Sequence, residues 1–167
     1  MISSNCSWKA NTNYICKTAT KRCWLLHRLK NLGATREQLL SVYQKRSRTI
    51  LEMAAPAWHS SLTKEEIYRI EREQKKAFAI ILGNEYNSYK NALSVLKQET
   101  LEKRRENMTI KFAKKCAKNP KHSNMFPRNT MRQNLRTNKK YKEYECRTKR
   151  LYDSAIPYMT RLLNKLN

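Results

Sequence analysis

The chain has 167 residues, enough for one domain of ordinary size. It carries 36 Lys and Arg residues against 13 Asp and Glu residues, a formal net charge of +23. This excess opposes compaction by self-repulsion and favours a polyanionic partner, so we expect nucleic acid first and an anionic membrane surface second. The alternative is a basic protein that is merely soluble. Two glycines and four prolines are too few for sheets with tight hairpins, which disfavours β-rich folds.

The cysteine count and the hydropathy pattern bear on the compartment. Five cysteines are an odd number, and the start of the sequence lacks the charged and apolar segments of a signal peptide. No apolar run approaches the ~18 residues of a membrane span. We therefore expect an intracellular protein of the nucleus or cytoplasm, with reduced thiols and no membrane partner.

The first predicted helix covers residues 12 to 31. Its apolar residues recur at steps of three and four, which places one face towards a core: Ile15, Ala19, Cys23, Leu26 and Leu29. Gly33 is the expected stop. Basic residues occupy the other sides: Lys17, Lys21, Arg22, Arg28 and Lys30.

A capping box marks the start of the second predicted helix. Thr35 and Gln38 have the spacing at which each side chain bonds to the other residue's backbone N–H. We expect this helix to run to Pro56, because the proline ring and its missing N–H oppose continuation.

Three more helices follow before the basic C-terminal part. Thr63 with Glu66 forms a second capping box, and Gly83 is the expected end of that helix. A short helix is predicted over residues 88 to 96 and a longer one over residues 100 to 118. The fold class predicted is therefore all-α, a small bundle of about four to five helices.

The expected organisation has three parts. Residues 1 to 118 form the helical domain. Residues 119 to 150 are rich in Lys, Arg, Asn and Thr, and they predict a basic segment that is mostly disordered or ordered only on binding. Residues 151 to 167 are expected to form a short C-terminal helix.

Catalytic motifs are missing from the sequence. Asp153 is the one aspartate, whereas two-metal phosphoryl chemistry needs clustered carboxylates. With two glycines, a glycine-rich phosphate loop cannot form. We therefore expect no enzyme, no cofactor and no small-molecule substrate. Cys116, His122 and Cys146 lie at the wrong spacing for a compact zinc knuckle, so we expect no metal site.

The segment Trp58-His59-Ser60-Ser61 has two interpretations. A histidine beside two serines is compatible with nucleophilic catalysis, which also needs an orienting acid and an oxyanion hole. The favoured interpretation is structural: Trp58 packs the connection between two helices and His59 hydrogen bonds locally. The role of His59 stays open at this point.

Basic residues at helical spacing are the candidate binding site. They predict contacts with the phosphate backbone, which give affinity and position but no sequence preference. The alternative is that these charges belong to solvated faces. Tyr141 is expected to stack on unpaired bases. The candidates are Arg69, Arg72, Lys75, Lys76, Lys111, Lys114, Lys115, Lys118, Arg132, Arg136, Lys139, Lys140 and Tyr141.

Four blocks of the sequence resemble one protein family. The blocks are ISSNCSWKANTNYICKTATKRCWLLHRLKNLG, LEMAAPAWHSSLTKEEIYRIEREQKKAFAIILG, LKQETLEKRRENMTIKFAKKCAKNP and CRTKRLYDSAIPYMTRLLNKLN. They resemble, in the same order, the region that follows the catalytic palm of non-LTR (LINE-type) retrotransposon reverse transcriptases. The resemblance covers nearly the whole chain, and residues 121 to 145 are its least distinctive part.

The resemblance implies a thumb-like helical domain over residues 1 to 118, followed by a C-terminal extension. In that family the thumb packs against the template–primer duplex, and the polymerase aspartates lie in an upstream palm. The chain is thus expected to be a non-catalytic C-terminal fragment that binds RNA or DNA and the upstream polymerase domain. The alternatives are a helical protein-interaction or assembly module, and a decayed retroelement reading frame without function.

The sequence departs from the family pattern at two places. Asn11-Thr12 stands where the family has His-Ile, and Ser47-Arg48-Thr49 replaces an apolar residue followed by Arg-Pro. Polar side chains at buried apolar positions cost stability. We therefore expect weakened packing between the first helices.

Overall fold

The computed structural model describes residues 7–129 and 139–166. Within these ranges the fold is all-α and contains no strand, which confirms the predicted class. The helical segments outnumber the predicted four to five. In chain order the α-helices are α1 (Lys9–Asn31), α2 (Arg36–Val42), α3 (Thr49–Glu52), α4 (Ala55–Trp58), α5 (Lys64–Leu82), α6 (Tyr89–Val95), α7 (Leu101–Lys118), α8 (Lys149–Tyr152) and α9 (Ala155–Lys165).

The chain is organised as two compact units. The first unit comprises Met1–Met53 and Leu62–Arg104. The second comprises Ala54–Ser61 and Arg105–Asn167. The functional division that the sequence suggested, with limits at residues 118 and 150, stays a prediction.

Helix starts in the first unit follow the predicted caps. The Thr35 hydroxyl accepts the Gln38 backbone N–H, and the Gln38 side chain accepts the Thr35 N–H. The same reciprocal pair joins Thr63 and Glu66 at the start of α5. Both capping boxes are therefore confirmed, and each satisfies two backbone donors that a helix start leaves without partners.

The core of the first unit lies between α1, α2, α5 and α6. Leu26, Leu39 and Phe78 are buried in it, and the Tyr43 ring meets the Phe78 ring edge to face at 5.4 Å between centroids. Burying one such side chain contributes about 1.5–3 kcal/mol. The Tyr43 hydroxyl donates to Gln74 Oε1 at 2.5 Å, so the one polar atom of this ring is satisfied in the interior.

The second predicted helix is interrupted where the sequence predicted one continuous run to Pro56. After α2 the chain passes through a π-helical segment, Tyr43–Arg48, into α3, which ends at Glu52. A proline ring clashes with the carbonyl four residues before it, and for Pro56 that residue is Glu52. The chain turns at Ala54 with a φ of +52°, and Pro56 takes one of the first positions of α4, where no N–H is needed.

The second unit has a smaller core. Ala113 and Cys116 of α7 pack with Phe126, Met159 and Leu163. The described parts of the predicted flexible segment thus include a buried residue, Phe126. The expectation of disorder over residues 130 to 138 lies outside the described residues.

Both departures from the family pattern involve buried polar residues of the first unit. Thr12 and Ser47 have 0% and 2% of their surface exposed. Among the described residues, neither hydroxyl has a hydrogen-bond partner. Burial of an unsatisfied hydroxyl costs about 1–3 kcal/mol, so the expected weakness in packing has a structural basis at these two positions.

Candidate nucleic-acid interface

The first group of predicted site residues lies on α5 in the first unit, and we call it the α5 basic stripe. Two of its members are held by neighbouring side chains. Arg69 donates from Nη2 to Asn13 Oδ1 at 2.7 Å. Lys76 Nζ lies 2.8 Å from Oε1 of the buried Glu73. The stripe comprises Arg69, Arg72, Lys75 and Lys76.

Aromatic rings hold a third member of this stripe. The Lys75 ammonium lies 5.3 Å from the centre of the Tyr68 ring and 5.1 Å from that of the Tyr89 ring. Two cation–π contacts favour this position over free solvent. Arg72 is exposed. Three of the four cations in the α5 basic stripe therefore contact side chains of the first unit.

The second group lies on α7 in the second unit, and we call it the α7 lysine ridge. Its members are all exposed, and the i, i+3, i+4, i+7 spacing puts them on one face. In the described part of the chain, none of them pairs with a carboxylate. The opposite face, with Ala113 and Cys116, is buried. The ridge comprises Lys111, Lys114, Lys115 and Lys118.

The third group lies after α7 in the second unit. Lys139 Nζ pairs with Glu143 Oε2 at 2.9 Å. The exposed Lys140 has its ammonium 5.8 Å from the centre of the Tyr141 ring. The two remaining candidates of this segment, Arg132 and Arg136, lie outside the described residues.

Tyr141, for which base stacking stays a prediction, packs within the second unit. Its ring meets the Phe126 ring at 6.4 Å between centroids. Its backbone N–H donates to Asn164 Oδ1 at 2.9 Å, and its carbonyl accepts from Asn164 Nδ2 at 3.0 Å. The ring is half-buried. Its long-range partners were not visible in the local sequence pattern.

The Trp58-His59-Ser60-Ser61 segment is buried structure of the second unit. Trp58 is 1% exposed, and the Arg105 guanidinium lies 5.7 Å from the centre of its ring. Ser61 donates from Oγ to the Asp153 carbonyl at 3.0 Å. Within the described ranges, Ser60 Oγ and His59 Nδ1 are both buried without a hydrogen-bond partner. The serine–histidine bond that nucleophilic catalysis needs is therefore missing here.

His59 lies among apolar and cationic groups. Its ring meets the Tyr158 ring at 6.2 Å between centroids. Burial, followed by the nearby Arg105 charge, lowers the pKa of His59 to about 4. The imidazole is therefore neutral at physiological pH. The local hydrogen bond expected for His59 is not formed by Nδ1 within the described ranges.

Among the described residues, possible metal ligands do not cluster and the buried Cys23 thiol is protonated. Among residues 7–129 and 139–166, no three His, Cys, Asp or Glu side chains cluster as metal ligands. Burial raises the pKa of the Cys23 thiol to about 11, so it stays protonated.

In the same ranges, no helix combines the length and the apolar character needed to cross a bilayer.

Two exposed aromatic residues of α1 were absent from the predicted site. Tyr14 is 54% exposed and Trp24 is 63% exposed. Each lies at three- or four-residue steps from lysines or an arginine on the same helix. The sequence carried this signal, because the apolar face of the helix was predicted and these residues fall opposite to it.

Known proteins offer no match on which to base a function. No protein-family model, no curated protein and no solved structure matches this chain. The resemblance to retrotransposon reverse transcriptases therefore stays a prediction. The function has to be argued from the geometry of the basic surfaces.

Proposed function

We propose that this chain binds the phosphate backbone of a nucleic-acid duplex through the α7 lysine ridge. The observation that carries the proposal is four exposed lysines on one helical face, without a carboxylate partner in the described part of the chain. Such lysines repel each other, and each like-charge pair at four-residue spacing costs about 0.2–0.5 kcal/mol. A polyanion removes that cost.

The chemistry of lysine defines the kind of contact. An ammonium is a point charge on a flexible stem, and it binds a phosphate oxygen without reading a base. From Lys111 to Lys118 the ridge is about 10 Å long, measured along the axis of α7. That length matches contact with successive phosphates of one strand, so RNA–DNA, RNA and DNA duplexes are all suitable partners.

The proposed parent is a LINE-type retrotransposon reverse transcriptase, of which this chain forms the non-catalytic C-terminal part. The four sequence blocks support this origin, and the duplex partner is then the template–primer. The single aspartate in the sequence supports the absence of polymerase activity. Primer extension by the purified chain should yield no product, and nucleotide incorporation would overturn this part of the proposal.

The binding proposal is tested with a lysine-to-glutamine variant of the whole ridge. Affinity for an RNA–DNA hybrid is measured across a salt series. The slope of log affinity against log salt is negative. Each lost phosphate contact should make this slope shallower by about 1. The helix should stay folded by circular dichroism, because the ridge side chains form no ion pair in the described part of the chain. The variant replaces Lys111, Lys114, Lys115 and Lys118.

A matched control removes the same number of exposed lysines from other places. Its net charge equals that of the ridge variant, so a general electrostatic effect would weaken both alike. We expect the control to retain the salt slope of the unmodified protein within about 1. Equal losses in the two variants would reject the ridge as the binding surface. The control replaces Lys9, Lys45, Lys64 and Lys90.

A further inference from the structure

The outward face of α1 carries two aromatic side chains among three basic ones, and we call it the α1 outer stripe. Its members follow one another at steps of three and four residues. At about 100° per residue, the five positions fall within about 80° of the helix circumference. The buried residues Ile15, Ala19 and Leu26 lie on the opposite side. The stripe comprises Tyr14, Lys17, Lys21, Trp24 and Arg28.

The aromatic members of this stripe are not used for packing. Trp24 and Tyr14 are 63% and 54% exposed, whereas Trp58 in the second unit is 1% exposed. The Arg28 guanidinium lies 5.0 Å from the centre of the Trp24 ring, which leaves the ring paired with a cation at the surface. The core contacts of α1 come from its other face, so the exposure of these rings needs another explanation.

A single-stranded nucleic acid matches this combination of exposed rings and cations on one helix face. Unpaired bases stack on aromatic side chains, while lysine and arginine contact the phosphates between them. A duplex does not offer this contact, because its bases are stacked on one another inside the helix. From Tyr14 to Arg28 the stripe spans about 21 Å, long enough for several nucleotides.

We propose that the α1 outer stripe is a stacking site for single-stranded RNA or DNA, separate from the α7 lysine ridge. The inference shares only the class of polymer with the proposed function. The packing of α1 favours this partner over a lipid surface, since the broad apolar face of the helix is buried in the core. A helix that lies in a membrane needs that apolar face outside.

Trp24 itself reports the contact. Trp58 is buried and Trp8 is half-buried, so a Trp8→Phe background leaves Trp24 as the exposed indole. Adding a short oligouridylate at low salt should quench the emission in a saturable way, because a stacked base quenches indole. In the same background, Trp24→Ala should lower the affinity for a fluorescently labelled oligouridylate, measured by anisotropy, about 10-fold.

The matched control is another exposed ring paired with an arginine. Tyr152 is 49% exposed, and the Arg161 guanidinium lies 3.5 Å from the centre of its ring. Tyr152→Ala should leave the oligouridylate affinity unchanged. An equal loss in this control, or unchanged affinity in Trp24→Ala, would overturn the stacking site.

Two further measurements separate this site from the other surfaces. Lysine-to-glutamine changes on the α7 ridge should leave the Trp24 quenching intact, so duplex binding and stacking fail independently. Phosphatidylserine vesicles should leave the wavelength of maximum Trp24 emission unchanged. A blue shift with vesicles, without quenching by oligouridylate, would overturn the inference in favour of a membrane surface.

Discussion

The α5 basic stripe and the α7 lysine ridge have the same kind of sequence pattern but different surroundings. On α5, Asn13 holds Arg69, Glu73 holds Lys76, and aromatic rings hold Lys75. On α7, the corresponding cations point outward without a carboxylate partner in the described ranges. A positive charge in a sequence is thus not always a charge available to a ligand.

Part of the difference follows from the residues one helical turn away. On α5, Glu65, Glu66, Glu71 and Glu73 lie three or four positions from three of its four cations. On α7, no acidic residue occupies any position three or four residues from a ridge lysine. Pairs at this spacing are neighbours on a helix surface. The spacing of carboxylates along each helix therefore accounts for the pairing of Lys76, whereas Asn13 holds Arg69 and aromatic rings hold Lys75.

The largest expected effect comes from reversing two charges on α7, compared with a second variant in which two charges on α5 are reversed. Lys114→Glu with Lys115→Glu should weaken binding of an RNA–DNA hybrid about 100-fold at low salt, because free phosphate contacts are lost and repulsion is added. Arg72→Glu with Lys76→Glu changes the net charge equally. It should weaken binding no more than about 10-fold. Fluorescence anisotropy on a labelled hybrid measures both, and equal losses would remove the distinction between the two surfaces.

A histidine pair extends the comparison to protonation. His59 is buried with a pKa of about 4, whereas His122 is exposed. Between pH 6.5 and 4 the unfolded chain binds a proton that folded His59 does not, so the free energy of unfolding falls as pH falls. We expect His59 to contribute about 2 kcal/mol of this fall.

Chemical denaturation at several pH values measures that contribution. His59→Gln cannot take up the proton, so the loss of stability between pH 6.5 and 4 should be smaller by about 2 kcal/mol than in the unmodified protein. His122→Gln, a substitution at an exposed histidine, is the control. A His59→Gln profile that parallels the unmodified one would show that His59 is not buried in its neutral form.

Two buried hydroxyls give a smaller effect in the first unit. Thr12→Val and Ser47→Ala each remove an unsatisfied oxygen while keeping most of the side-chain volume. Each should raise the free energy of unfolding by about 1 kcal/mol. Thr18→Val is the control, since Thr18 Oγ1 on the same helix donates to the Tyr14 carbonyl at 2.9 Å. No stabilisation at Thr12 or Ser47 would mean that their hydroxyls have partners in solution, and the argument for weakened packing would fail.

Much of the fold was accessible from the sequence because it depends on neighbouring residues. Local spacing predicted the caps at Thr35 and Thr63 and both ends of α5. Pro56 was expected to stop a helix, but its ring acts four residues earlier, at Glu52.

The candidate site was less accessible, because its members depend on residues far along the chain. Lys75 lies over Tyr89, and Tyr141 is tied to Asn164. Neither contact has a signature in a local pattern. In contrast, the position of Trp24 opposite the apolar face of α1 follows from helical periodicity, and attention to exposed aromatic residues would have found it.

The smallest expected effect comes from releasing one cation of the α5 basic stripe, so that it resembles the unpaired lysines of the α7 lysine ridge. Glu73 is buried, pairs with Lys76 and accepts a hydrogen bond from the Thr20 hydroxyl at 2.8 Å. Glu73→Gln keeps the shape and removes the charge, so Lys76 is released towards solvent. The affinity for an RNA–DNA hybrid should rise about 3-fold, with a loss of about 1 kcal/mol in the free energy of unfolding.

The control for that change lies at a pair outside both surfaces. Glu85→Gln removes the partner of Arg36, which is not among the candidate binding residues, and alters the net charge by the same amount. If affinity rises through net charge alone, both variants gain equally. If pairing restrains the α5 basic stripe, the gain is larger for Glu73→Gln and its salt slope becomes steeper, because one more ammonium exchanges counterions with the phosphates. An unchanged slope in Glu73→Gln would show that Lys76 does not reach the duplex even when it is released.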